Sequence, residues 1–182
     1  MKNRLELAKY FHELGFKRGA EVGACYGRYS EILCQSIPDL ELLAVDNWDN
    51  KENDRRLRTR GVGGEETTRK ILAPYNATVV KMTSMEAAAK VPDESLDFVF
   101  IDADHSYTAV KEDITEWSKK VRSGGIVALH DYYIFPHSGN RGVIDAVDEY
   151  IKVNNIQLQI IPWNKENPVK DDRQPCAWFF KK

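Results

Sequence analysis

Apolar residues along the chain fall into two alternating patterns: short continuous runs and stripes at helical spacing. Continuous runs are typical of strands buried on both faces of a parallel sheet, and the stripes are typical of helices that cover such a sheet. The predicted strands cover residues 20–22, 40–45, 77–82, 96–101, 126–129, 156–161 and 176–180. The predicted helices cover residues 3–14, 29–36, 67–72, 85–90, 107–121 and 143–153. This alternation predicts an α/β protein with a mainly parallel sheet.

Length and composition favour one domain over residues 1–182, with a packed core. The chain has 26 basic and 28 acidic side chains, a net charge of −2, which argues against nucleic acid or a membrane surface as a partner. Its three cysteines follow no CxxC spacing and are typical of reduced thiols in the cytosol. No apolar run approaches the roughly 20 residues of a membrane span, and no signal peptide is visible, so we expect a cytoplasmic protein.

A glycine turn follows the first predicted strand. Glu21 ends that strand, Gly23 and Gly27 follow it, and Asp46 ends the next strand. Glycine in such a turn lets backbone N–H groups approach a ligand, and an acidic residue at the second strand end accepts ribose hydroxyls. The dinucleotide fingerprint would need glycine where Cys25 and Arg28 stand, which disfavours an NAD-dependent oxidoreductase. A plain tight turn remains the structural alternative to a cofactor site.

Acidic and histidine residues follow two further strands. Asp102, Asp104 and His105 come directly after residues 96–101, and His130 and Asp131 come after residues 126–129. Because the carboxyl ends of parallel strands meet at one edge of the sheet, we expect these side chains to converge. Imidazole titrates near neutrality and can act as a general base. The alternative is that these residues only cap the helix beginning near residue 106 and bind loops.

Taken together, three blocks resemble a known family. The blocks are residues 21–27 followed by Asp46, residues 100–107, and residues 124–132. They resemble class I S-adenosylmethionine-dependent methyltransferases, and are similar to the small-molecule O-methyltransferases that include the catechol, caffeoyl-CoA and macrolide-sugar enzymes. The resemblance runs from about residue 15 to the C-terminus. It implies a Rossmann-like three-layer sandwich with a seven-stranded, mainly parallel sheet whose last strand is antiparallel.

The resemblance also implies a cofactor site for S-adenosylmethionine. Glu21, Gly23 and Gly27 would line its methionine part, and either Tyr29 or Ser30 would meet its carboxylate. Asp46 would bind the ribose and Ser84 the adenine. The other predicted cofactor contacts lie near strand ends, and they are Trp48, Asp102 and Asp104. Trp48 stands two residues after Asp46, where it would stack on the adenine or pack under the following loop.

In the similar O-methyltransferases, oxygen ligands at the positions of Asp102, His130 and Asp131 hold Mg²⁺, and a base matches His105. The metal binds the substrate hydroxyl and lowers its pKa. Imidazole at position 130 suits a softer ion better than Mg²⁺. The sequence therefore leaves two hypotheses, a divalent metal bound by these three residues, or metal-free catalysis with His105 or His130 as the base.

The leading hypothesis is methyl transfer to a hydroxyl of a small metabolite. The alternatives are a metal-independent methyltransferase acting on nitrogen, carbon or a carboxylate, and a non-catalytic cofactor-binding module. Acceptor specificity is expected in the loops 48–64, 132–141 and 163–174. The first loop contains four arginines that would clamp an anion or form a solvated surface, namely Arg55, Arg56, Arg58 and Arg60. Nothing in the pattern distinguishes a monomer from a homodimer.

Overall fold

In the computed structural model, a seven-stranded sheet forms the centre of the protein, and residues 1–49, 64–169 and 172–182 are described. The strands are β1 (Arg18–Val22), β2 (Glu41–Asp46), β3 (Ala77–Lys81), β4 (Leu96–Ile101), β5 (Val121–Leu129), β6 (Gln159–Ile161) and β7 (Cys176–Phe180). Their spatial order is β3-β2-β1-β4-β5-β7-β6. The pairs from β3 to β5 are parallel, and β7 runs antiparallel to both β5 and β6. The predicted mainly parallel sheet with an antiparallel last strand is confirmed.

Helices cover both faces of the sheet. They are α1 (Arg4–Glu13), α2 (Arg28–Ser36), α3 (Gly64–Leu72), α4 (Ser84–Ala88), α5 (Tyr107–Lys120) and α6 (Gly142–Val153). Side chains alternate across β4, so that Phe98 and Phe100 pack under α1 and α2 while Val99 and Ile101 pack under α5 and α6. The continuous apolar run of β4 is therefore buried on both faces, as its sequence predicted. These two cores give the three-layer sandwich.

Two predicted boundaries are wrong. β5 begins at Val121, not at residue 126, because the strand continues through Gly124 and Gly125 while its register against β4 shifts after Leu96. β6 begins at Gln159, not at residue 156, because the backbone N–H of residue 156 donates to the last turn of α6 instead of to a strand. The helix boundaries differ by three residues or fewer from the prediction.

The loop predicted over residues 48–64 lies mostly outside the described residues, and its four arginines lie entirely outside them. None of the described helices is both long enough and apolar enough to cross a lipid bilayer. The edge that holds the carboxyl ends of β1, β2, β4 and β5 is the part of the fold that carries the predicted site.

Candidate active site

A cavity of about 950 Å³ opens at the carboxyl edge of the sheet. This volume lies within the range of about 300–1,000 Å³ typical of small-molecule sites. Ten of the thirteen predicted site residues line the cavity: Glu21, Gly23, Tyr29, Asp46, Ser84, Asp102, Asp104, His105, His130 and Asp131. The structure therefore brings the two predicted clusters, the glycine turn and the acidic–histidine blocks, into one site.

The glycine turn closes tightly against β4. Gly23 has a φ of 96°, and a Cβ atom at this position would lie 2.0 Å from the carbonyl oxygen of Asp102. Asp46 stabilises the same turn, since its two carboxylate oxygens accept the backbone N–H groups of Cys25 and Trp48, each at 2.8 Å. Each carboxylate oxygen has a second lone pair, so Asp46 can still accept hydrogen bonds from the hydroxyls of a ligand in the cavity.

The three predicted residues that do not line the cavity support the turn from behind. The Ser30 hydroxyl donates to the buried carboxyl of Glu21. The Trp48 indole N–H donates to the Cys25 carbonyl oxygen at 2.7 Å, so the ring packs beneath the turn. Gly27 lets α3 approach closely, because a Cβ there would lie 3.0 Å from the Thr68 side chain.

Burial dominates the chemistry of Glu21. Its side chain is enclosed at the end of β1, and desolvation raises the pKa of the carboxyl to about 8, although the Ser30 hydroxyl and the nearby Arg4 guanidinium favour the ionised form. Glu21 therefore remains protonated at neutral pH in the protein without its ligand. A neutral carboxyl can both donate and accept a hydrogen bond inside the cavity.

The variant Glu21→Gln is expected to gain stability relative to the wild type as the pH rises. In the unfolded chain this carboxyl ionises near its ordinary pKa of 4.5, whereas in the folded chain it keeps its proton up to about 8. The unfolded chain therefore loses the proton first, and the destabilisation of the wild type grows between these two values to about 5 kcal/mol. Urea unfolding at a series of pH values measures the difference between the two proteins.

The matched control is Glu41→Gln, at the exposed amino end of β2, which removes only a solvated ion pair with Arg18 and is expected to change stability by less than about 1 kcal/mol across the same pH series. The prediction is wrong if Glu21→Gln and the wild type show the same pH dependence.

Two carboxylates and two imidazoles form a cluster at the ends of β4 and β5. The His105 Nε2 atom lies 3.2 Å from Asp131 Oδ2 and 3.6 Å from Asp102 Oδ1. The His130 Nδ1 atom lies 3.1 Å from Asp131 Oδ1 and 3.5 Å from Asp102 Oδ2. Each aspartate thus stands between both histidines. None of these buried imidazole nitrogens makes a hydrogen bond of normal geometry with the described residues.

Electrostatics sets the protonation of this cluster. Burial opposes the charged form of His130, but Asp102 and Asp131 outweigh it and raise the pKa of His130 to about 10. The same balance raises the pKa of His105 above its usual value. Burial alone would raise the pKa of Asp102, but the two histidines and Arg4 hold it well below its usual value. The cluster therefore holds an ionised Asp102 against a protonated His130.

The sequence of the segment that carries this site matches a known protein family. A family model described as a methyltransferase domain matches residues 20–132, which is more than half of the chain. The chain belongs to this methyltransferase family. The matched segment contains both the glycine turn and the carboxylate–imidazole cluster of the methyltransferase. No curated protein matches its sequence.

Solved structures share its fold at low sequence identity. An O-methyltransferase from Bacillus cereus, solved with S-adenosylhomocysteine, is 11% identical with a TM-score of 0.71, and the match covers 98% of this chain and 80% of that one. The O-methyltransferase TomG from Streptomyces achromogenes, which takes part in tomaymycin synthesis, was solved with S-adenosylmethionine; it is 16% identical, with a TM-score of 0.69 and coverages of 97% and 80%. A Clostridium thermocellum protein assigned as an rRNA methylase is 13% identical, with a TM-score of 0.67 and coverages of 100% and 99%. These likenesses confirm the predicted fold of class I S-adenosylmethionine-dependent methyltransferases.

The methyltransferase has a set of side chains that fits a divalent ion. Asp102, His105 and Asp131 each bring one ligand atom to within 4.8 Å of the others. The predicted set had His130 in the place of His105. Two carboxylates and one imidazole suit Mn²⁺, Fe²⁺ or Zn²⁺ better than Mg²⁺, which prefers oxygen ligands alone. The buried Nε2 of His105, which has no hydrogen-bond partner among the described residues, is the nitrogen that such an ion would take.

Sequence reasoning missed Arg4, which reaches the cavity from the first turn of α1. Its guanidinium Nε lies 2.5 Å from Asp172 Oδ1, and its Nη1 lies 3.7 Å from Asp102 Oδ2. A signal was present, because Arg4 occupies the same helical stripe as the buried Leu7 and Phe11. A charged residue on a buried stripe indicates a buried partner or a ligand.

Sequence reasoning also missed Asp113, a buried carboxyl on α5 that lines the cavity beside Ser84. The Ser84 hydroxyl donates to Asp113 and accepts the Trp117 indole N–H at 2.8 Å. Burial raises the pKa of Asp113 to about 6. Ser84 thus lies at the cavity wall, but its hydroxyl already donates a hydrogen bond to Asp113. Asp104 also lines the cavity and accepts the Ser106 backbone N–H at 2.6 Å, so it is part of the cap of α5.

An aromatic wall borders the cluster on the outer side of the cavity. Phe135 lies with its ring centroid 5.1 Å from that of His105 and stacks on Tyr133 at 4.6 Å. Trp163 meets Tyr133 edge-on at 4.9 Å. Tyr133 and Phe135 line the cavity. They come from the loop 132–141, and Trp163 comes from the loop 163–174, two of the three loops predicted to hold acceptor specificity.

Proposed function

We propose that this methyltransferase transfers the methyl group of S-adenosylmethionine to a hydroxyl of a small metabolite in the cytoplasm. The observation that carries the proposal is the position of His105. Its imidazole lies between two strand-end carboxylates, in the same cavity as the glycine turn and Asp46. A base beside a cofactor cavity is what methyl transfer to a hydroxyl requires, because the hydroxyl must lose a proton.

Support for the cofactor comes from the part of the cavity formed by the glycine turn and Asp46. The Gly23 turn gives a ligand close access to the backbone, and Asp46 has lone pairs free to accept two ribose hydroxyls. Two structures of the same fold hold S-adenosylhomocysteine or S-adenosylmethionine, as described above. The neutral carboxyl of Glu21, which lines the cavity, would offer a polar contact to the methionine part.

In the proposed mechanism, the acceptor hydroxyl lies against His105, which takes its proton at Nδ1, because Nε2 faces the two carboxylates. Asp131 and Asp102 orient the imidazole and stabilise the imidazolium that forms. The acceptor oxygen then attacks the sulfonium methyl in line, the bond from that methyl to sulfur breaks, and S-adenosylhomocysteine leaves. Catalysis is mainly the positioning of the two reacting groups. The raised pKa of His105 makes it a stronger base, and activity is expected to increase as the pH rises and the imidazole becomes neutral.

A divalent ion would supply a second way to activate the hydroxyl. Asp102, His105 and Asp131 would hold it, and the ion would lower the pKa of the bound hydroxyl. His105 would then be a ligand and not the base. Because Arg4 and the protonated His130 already face the two carboxylates, the charge of the cluster favours the metal-free form.

The aromatic wall supports a small, flat acceptor. Phe135 presents a ring beside His105, so a planar acceptor that stacks on it would bring its hydroxyl next to the imidazole. The wall is apolar and aromatic where an RNA acceptor would need basic phosphate contacts. A phenol or a similar ring hydroxyl is therefore the acceptor that we propose to test first.

The test has two steps. Calorimetry with S-adenosylhomocysteine is expected to show one site per chain, and absence of binding would overturn the methyltransferase reading of the cavity. Transfer of labelled methyl from S-adenosylmethionine is then measured with phenols, catechols, hydroxylated sugars, carboxylic acids, amines and RNA, with and without EDTA. Transfer to a hydroxyl that survives EDTA supports His105 as the base. Activity that EDTA removes and Mn²⁺ or Zn²⁺ restores would instead assign His105 to a metal.

A further inference from the structure

The cavity contains a candidate binding residue for the cofactor carboxylate other than the two predicted ones, Tyr29 and Ser30. S-adenosylmethionine ends in an amino-acid carboxylate, which needs donors when it is buried. The Ser30 hydroxyl donates a hydrogen bond to Glu21, and Ser30 does not line the cavity. The Tyr29 hydroxyl donates a hydrogen bond to the Arg4 carbonyl oxygen at 3.0 Å. Both predicted donors are therefore already used inside the protein.

Arg4 lines the cavity close to Glu21 and Tyr29. Its side chain is 9% exposed, its guanidinium lies over the Tyr29 ring, and its charge favours the ionised form of Glu21. Asp172 is contacted through Nε, which is one of five guanidinium N–H donors. Nη1 lies 3.7 Å from Asp102, which is beyond hydrogen-bond distance. The remaining edge of the guanidinium can therefore serve a ligand.

The guanidinium is also held rigidly. Asp172 is itself buried and fixes the plane of the group, while the Tyr29 ring lies beneath it with its centroid 4.9 Å from Cζ. A cation that is already desolvated and oriented loses little freedom when it binds an anion. Arginine binds carboxylates through short, charge-assisted hydrogen bonds, often with two of its N–H groups at once.

We propose that Arg4 is the cofactor-binding residue that recognises the carboxylate of S-adenosylmethionine, with Asp172 as the positioning residue that holds the guanidinium in place. The inference rests on the proposed cofactor. It also explains why a charged residue occupies the buried stripe of α1. The first helix, which lies outside the region matched by the family model, thus contributes a side chain to the cofactor site.

The experiment compares two ligands that differ only in the carboxylate: S-adenosylhomocysteine and its decarboxylated analogue, which keeps the amine. In Arg4→Met, calorimetry is expected to show about 10–100-fold weaker binding of S-adenosylhomocysteine. The analogue is expected to bind Arg4→Met and the wild type alike. Arg4→Lys keeps the charge and is expected to recover part of the loss.

Controls separate this role from a structural one. Arg18→Met removes an exposed arginine at the opposite end of β1 and is expected to leave both affinities unchanged. If Arg4→Met does not fold, Arg4→Lys carries the test through the ratio of the two affinities. Equal losses for both ligands, or no loss for either, would overturn the assignment of Arg4. Failure of the wild type to bind either ligand would instead overturn the proposed function.

Discussion

Replacing His105 with alanine is expected to lower the kcat of methyl transfer about 10²–10⁴-fold, the usual contribution of a general base. S-adenosylhomocysteine is expected to bind almost as before, because the glycine turn and Asp46 are unchanged. The increase of activity with pH that neutral His105 produces should disappear in the variant. Single-turnover transfer to the acceptor found in the panel, measured across a pH series, gives the rate and its pH dependence.

His12→Ala is the matched control, since this histidine is exposed on α1. Its rate and pH profile are expected to equal those of the wild type. A loss of cofactor affinity in His105→Ala as large as the loss of rate would contradict the role of base and make His105 a structural residue. Unchanged kcat would remove it from the mechanism.

Replacing Gly23 with alanine is expected to abolish S-adenosylhomocysteine binding and to lower the free energy of unfolding by about 3–4 kcal/mol. The new methyl group would lie 2.0 Å from the Asp102 carbonyl oxygen, in contact with rigid backbone that cannot turn aside. The turn must then separate from the end of β4, and the part of the cavity wall that the turn forms moves with it. Urea unfolding and calorimetry measure the two effects.

Gly15→Ala isolates the contribution of that contact. Gly15 also has a positive φ, 74°, but a Cβ there would meet nothing within 4 Å. This variant bears only the backbone strain, about 1 kcal/mol, and is expected to keep full cofactor affinity. Similar losses of stability in the two alanine variants would show that the turn yields easily, and would contradict the argument from close approach.

The strand-end side chains could be predicted from the sequence because the sheet itself places them. Asp46, Asp102 and Asp131 each follow a continuous apolar run, and parallel strands bring their carboxyl ends to one edge whatever the loops between them do. All three line the cavity. The same logic identified β4, whose run is buried on both faces, but it misplaced the start of β5, since Gly124 and Gly125 were interpreted as a break.

The residues that could not be predicted are those brought in from distant parts of the chain. Arg4 and Asp172 are 168 positions apart and meet only because α1 and the segment before β7 pack at the same end of the sheet. No spacing rule connects them. The sequence could not predict which histidine faces the acceptor side of the cavity, because the orientation of His105 and His130 depends on packing. His130 is enclosed by the core, and His105 faces the aromatic wall.

The position of β7 has a consequence for how the protein is made. β7 lies between β5 and β6 and is antiparallel to both, although it comes last among the seven strands. On the ribosome, β5 therefore remains an open edge, and β6 has no neighbour to join, until residues 176–180 have emerged. An unpaired edge strand can pair with other chains. The nascent protein consequently completes its sheet only after β7 has emerged, and a chain cut short before β7 would expose the edge of β5, which contains the buried Val127 and Leu129, to aggregation.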